Sequence, residues 1–178
     1  MSSFKEIVTK AVIGKAKKSS SNSFSLTPEE MPNTVLGCWV INHKFSGTNN
    51  ANGSVLVTGS FDVNVWYSYN NDKSTAVTTK NFSYSDTMNI PLKDDHDITD
   101  SSEIIVRCLH QPTVANVSVD GANVNLEIEK EMGVEIVGDT KVKISVEDTF
   151  DDYDEIYDEV DDDVLNEIDE NYLNETAN

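Results

Sequence analysis

The sequence predicts an all-β protein: a single antiparallel β-sandwich or barrel-like domain, followed by an acidic C-terminal tail that is partly disordered or helical. Three observations lead there. Apolar and polar residues alternate with a period of two over long runs, turn residues separate those runs, and the character of the chain changes abruptly after residue 147. At 178 residues the chain is long enough for one core and short for two. The expected division is a body over residues 1–147 and a tail over 148–178.

Taken in order, Lys5–Ala16 reads as a strand or a short helix and Thr34–Phe45 as a strand, with Ser46–Gly53 a flexible Gly/Asn/Ser loop. Ser54–Tyr69 is the clearest strand. Val55, Val57, Phe61, Val63, Val65, Tyr67 and Tyr69 share one face, Thr58, Ser60, Asp62, Asn64 and Ser68 the other. Trp66 falls on the polar face, where it either covers a second layer or offers an exposed aromatic contact. Asn70-Asn71-Asp72 turns the chain into a strand over Thr75–Tyr84, and Pro91–Ser102 forms a second long loop. Thr113–Val119 and Asn123–Glu129 flank Asp120-Gly121, a hairpin signal because both residues tolerate positive φ. Gly138-Asp139, between Val134–Val137 and Lys141–Val146, marks a second candidate hairpin. Short strands at this spacing suggest a sandwich or barrel rather than alternating βα units. Edge strands of such a sheet are templates for pairing with another copy.

Charge narrows the function. Residues 147–178 hold 15 of the 32 acidic residues and none of the 13 basic ones, leaving 17 acids against 13 bases, or −4, for residues 1–146. The body is therefore mildly acidic and carries no strong basic excess, which argues against nucleic acid as a partner. There is no apolar run near the ~20 residues that span a bilayer, and Met1–Lys18 has no uninterrupted apolar stretch of a secretory signal, so a cytoplasmic protein is expected. Lys5, Lys10, Lys15, Lys17 and Lys18 make the opening segment basic. Of these Lys10, Lys15, Lys17 and Lys18 are candidates for an electrostatic contact with acidic surface on a neighbouring molecule, the plainer reading being surface lysines on an edge strand.

Chemistry-bearing motifs are sparse. Cys38 and Cys108 are too few for a disulfide framework and are read as buried free thiols. His96 lies among Asp94, Asp95 and Asp97, a group more readily solvated than metal-bound. Cys108 and His110 have chelate spacing but no further ligands. No nucleophile elbow, phosphate loop or zinc-binding histidine pair occurs. No catalytic residue, metal or cofactor is expected, and the chain is read as not an enzyme. In the tail Ile156, Val160, Val164, Ile168 and Tyr172 recur every fourth residue, with Leu165 beside them; on a helix they would form one apolar stripe. The surrounding acids repel one another, so the stripe is read as a partner-binding segment ordered on contact.

Thr34–Lys44 (TVLGCWVINHK), Phe61–Tyr69 (FDVNVWYSY) and Leu109–Pro112 (LHQP), supported by Phe4–Gly14 and Val134–Val142, closely resemble the CotE family of outer spore coat morphogenetic proteins of endospore-forming bacteria. The resemblance runs in order over residues 4 to about 146. It implies a protein made in the mother-cell cytoplasm during sporulation and then held in the spore coat. There it would self-assemble around the forespore over the basal layer built by the SpoIVA ATPase and direct outer coat proteins into place. It also implies that the acidic C-terminal region recruits those proteins, and that Trp39, His43, Trp66, Tyr67, His110 and Gln111 are fold or self-association determinants. A ligand-binding, carbohydrate-type β-sandwich is the alternative, resting on Trp66 and Tyr69 as exposed aromatics.

Overall fold

The computed structural model describes residues 3–93 and 96–146, and every described element is a strand. These are β1 (Ser3–Leu26), β2 (Thr34–Asn50), β3 (Ser54–Tyr69), β4 (Ser74–Asn89), β5 (Glu103–Asp120) and β6 (Asn123–Val146). They form two three-stranded sheets, a first in the order β1-β6-β5 and a second in the order β2-β3-β4. β2, β3 and β4 are an antiparallel meander, and β5 and β6 an antiparallel hairpin. β1 is antiparallel to β6 as well, since Lys17 meets Glu131, Ser21 meets Glu127 and Thr27 meets Asn123, one number rising as the other falls. The all-β expectation holds, as a sandwich.

Residues 8–140 form one compact unit, and the strand ends Ser3–Ile7 and Lys141–Val146 fall outside it. The core lies wholly in that unit and is built largely by the two middle strands. β3 contributes Val55, Val57, Phe61, Val63, Val65 and Tyr67; β6 contributes Val124, Leu126, Ile128, Met132, Val134 and Ile136. Both sets follow strict alternation, so each middle strand turns one full face inward. The aromatic rings interlock, with Phe24 of β1 edge-on to Phe61 of β3 at 5.5 Å.

Several expected boundaries are corrected. The opening segment is a strand throughout, so the helix alternative for Lys5–Ala16 falls. Ser46–Asn50 is not loop: it pairs with Ser54–Thr58, and only Ala51, Asn52 and Gly53 turn, the last two at φ of 68° and 71°. Gly47 is small because β5 passes over it, an added Cβ there lying 2.4 Å from a Val106 methyl. Gly138-Asp139 makes no hairpin either, since β6 runs through it. A Cβ on Gly138 would sit 2.8 Å from Ile13 Cδ1, so this glycine admits a neighbouring side chain rather than bending the chain. The Asp120-Gly121 hairpin is real, closed by the Asp120–Asn123 pair with Gly121 at φ 59°. Asn70, Asn71 and Asp72 all have positive φ and turn β3 into β4.

Candidate assembly surface and the polar layer beneath it

Both tryptophans stand on the outer face of the second sheet. In β3 the residues at odd positions from Val55 to Tyr67 face the core, so Trp66 must face outward; in β2 an irregularity at Leu36 brings Gly37 opposite Trp66 and Trp39 opposite Asn64. Each indole is 43% exposed. A Cβ on Gly37 would lie 3.6 Å from Trp66 and 3.7 Å from Trp39, so the two rings close over that glycine from either side. Val77, register partner of Trp66 in β4, and Ile41, two residues beyond Trp39, are also exposed. The result is an apolar patch spanning all three strands. Its surroundings are uncharged or paired: Thr79 bonds Asn64, and Asp62 accepts from Asn42 at 2.9 Å and Asn81 at 2.8 Å. Those two amides hold the Asp62 carboxyl below its ordinary pKa.

The inner face carries a polar layer. Lys130 lies on β6 in phase with Ile128 and Met132 and is 3% exposed. Its ammonium donates to Asp86 Oδ2 at 2.9 Å, Ser20 Oγ at 2.7 Å and Asn22 Oδ1 at 3.4 Å, and stands 4.0 Å over the Tyr84 ring. The Tyr84 ring is admitted by Gly59, whose Cβ would meet it at 2.4 Å. The Tyr84 hydroxyl lies 2.7 Å from His43 Nε2, and His43 Nδ1 is 3.3 Å from Gln111 Oε1. Strands of both sheets are thereby joined through hydrogen bonds inside the apolar sandwich, which satisfies each buried polar group.

The physical states of these groups follow from burial. The Tyr84 phenol is pushed up to about 12, by desolvation first and then by Cys108 and Asp86. Burial lowers His43, with the Gln111 bond pulling it up and the Lys130 cation pushing it down. Both cysteines are free and half-buried; desolvation raises Cys38 to about 11 and also raises Cys108, keeping both as thiols near neutral pH. Among the described residues no three His, Cys, Asp or Glu side chains converge as metal ligands would, and no helix is long and apolar enough to cross a membrane.

The structure sorts the residues singled out in the sequence. Trp39 and Trp66 belong to the exposed patch, whereas His43 and Tyr67 face the interior and Gln111, itself exposed, reaches in to His43. His110 is exposed on β5, opposite Glu131. Lys15, Lys17 and Lys18 lie near Glu135, Glu131 and Asp86 at 3.9, 3.6 and 3.8 Å, while Lys10 is exposed. Tyr69 is half-buried, 6.1 Å from Tyr67. The tail candidates Ile156, Val160, Val164, Leu165, Ile168 and Tyr172 lie outside the described residues. Sequence reasoning missed Lys130 and Asp86, although a lysine in phase with Val124, Leu126, Ile128, Met132 and Val134 was the available sign.

The family model for outer spore coat protein E, CotE, matches residues 3–175. The chain belongs to the CotE family. No curated protein and no solved structure matches it. Membership in CotE makes this a spore coat protein, and the matched span takes in both the described sheets and most of the acidic tail.

Proposed function

We propose that this CotE-family protein is a non-enzymatic morphogenetic scaffold. Made in the mother-cell cytoplasm, it self-assembles around the forespore on the SpoIVA basal layer and directs outer coat proteins into place. The observation that carries this reading is the exposed Trp39–Trp66 patch, an aromatic and aliphatic surface on the outer face of a sheet, of the composition that interface centres favour. The body, residues 1–147, supplies self-association and localisation; the tail, 148–178, supplies recruitment through its apolar stripe. An assembled layer displays many tails at high local concentration, so individually weak contacts act together.

Light scattering and negative-stain microscopy on the full chain, on Trp39→Ser/Trp66→Ser, and on a truncation ending at Glu147 test the division. Large assemblies are expected from the full chain and the truncation, with the double variant reduced to small species while its melting temperature stays close to wild type. Unchanged assembly by the double variant removes the patch from the mechanism. The exposed tryptophan pair also fits a carbohydrate-binding module; polysaccharide capture that is lost in the double variant, with assembly intact, favours that second reading.

A further inference from the structure

On the outer face of the first sheet lies a cleft of about 420 Å³ beside Ser19–Ser21, and next to it a more apolar one of about 400 Å³. The latter is lined by Lys15, Ala16, Lys17, Arg107, Leu109, Gly133, Val134 and Glu135. Gly133 is the floor: with no side chain there, Leu109 lies down over the backbone, and an added Cβ would press its Cδ1 at 3.1 Å. Leu109 remains 52% exposed, a large aliphatic side chain left for a partner to cover. Around it stand three cations. Lys15 and Arg107 share the single carboxylate of Glu135 at 3.9 and 3.8 Å, and Lys17 lies 3.6 Å from Glu131. The lysines keep 75% and the arginine 61% of their side chains in solvent, whereas the two glutamates keep 23% and 28%. At these distances and exposures the pairs are weak and the cations are free to turn to another anion.

We propose that this groove receives the acidic segment 147–178 of a second copy of the chain. The reading rests on the scaffold function and names one contact within it. The match is chemical. The groove itself is lined by three cations, Lys15, Lys17 and Arg107, and one carboxylate, Glu135, a local positive excess on a chain of net charge −19, and the segment brings 15 acids and no base. The apolar floor answers the apolar residues that segment carries at every fourth position, the pattern by which a helix anchors in a groove. Charge supplies attraction and register, Leu109 supplies the desolvated centre. The contact supplements the tryptophan patch: it holds tails on neighbouring copies until a coat protein takes them up.

The test uses the full chain with Ile156, Val160, Val164 and Ile168 replaced by serine, so that its own tails lack the apolar stripe. A fluorescent peptide of residues 148–178 is titrated onto it and read by anisotropy. Saturable binding is expected, weakened roughly tenfold or more by Lys15→Glu/Lys17→Glu or by Leu109→Asp, and severalfold by raising salt from about 50 to 300 mM. Circular dichroism confirms that each variant remains folded, and the milder Leu109→Ala serves where Leu109→Asp does not fold. No binding, equal binding to the groove variants, or equal binding of a peptide with the stripe replaced by serine overturns the proposal. Light scattering on the same samples reads the scaffold function separately.

Discussion

Lys130 concentrates the residue-scale energetics. A charge taken out of water is tolerable only with full compensation, which Asp86, Ser20, Asn22 and the Tyr84 ring provide here. Removing one partner should cost more than removing the charge. Asp86→Ala is expected to lose about 3 kcal/mol in urea unfolding because it leaves the ammonium buried and unpaired, whereas Lys130→Met, which leaves Asp86 a second cation in Lys18 at 3.8 Å, is expected to lose less. Losses that simply add in the Asp86→Ala/Lys130→Met double variant would show that the pair is not coupled. His43 sets a pH dependence. Its imidazole is held below the ordinary value of 6.5 in the folded state, so as pH falls through 6.5 the unfolded chain takes up the proton first and stability declines, levelling off once the folded-state value is passed. The melting temperature should therefore fall between about pH 7 and 5, and His43→Gln should flatten that part of the profile. From sequence, the oddity of a lysine within an apolar phase was visible. Its partners were not, because Ser20 is 110 residues away and nothing local links it to Lys130.

At the scale of the element, long strands are kept from slipping by local irregularities. In β2 the register shifts between Ile41 and Lys44, where Asn42 takes φ 55°. The shift turns His43 inward to Tyr84 while the strand before it keeps Val40 and Cys38 toward the core. Asparagine tolerates that conformation, a β-branched residue does not. Asn42→Val is expected to destabilise by about 1–2 kcal/mol and Asn42→Gly to be nearly neutral, in thermal or urea unfolding. Equal effects would place the role of Asn42 in its bond to Asp62 instead. Alternation made β3 legible to the residue, and the hairpin at Asp120-Gly121 was read correctly, although its turn falls one residue later, at Gly121-Ala122, with Asp120 paired to Asn123. Gly47 and Gly138 misled because glycine serves two ends, positive φ at a turn and close approach within a strand, and a single sequence does not separate them.

Across the whole molecule, alternation and turns were enough for an all-β body, and the motifs around Trp39 and Trp66 were enough for its family. Neither told which tryptophan neighbours would remain uncovered, because that depends on the irregularity at Leu36 bringing Gly37 beneath both rings. The groove at Leu109 was equally hidden: Lys15 and Lys17 stood out as basic, but Arg107 and Gly133 join them only through the β1-β6-β5 order. That order has a bearing on synthesis. β2, β3 and β4 pair with sequence neighbours and can fold as they emerge, but β1, made first, has its hydrogen-bonding partner in β6, made last. Closing so distant a pair is slow, and until it closes the apolar side of β1 has no strand beside it. On a ribosome the opening strand must wait for nearly all the described strands to be translated, so completion of the fold, and with it a finished surface at Leu109, is a late event.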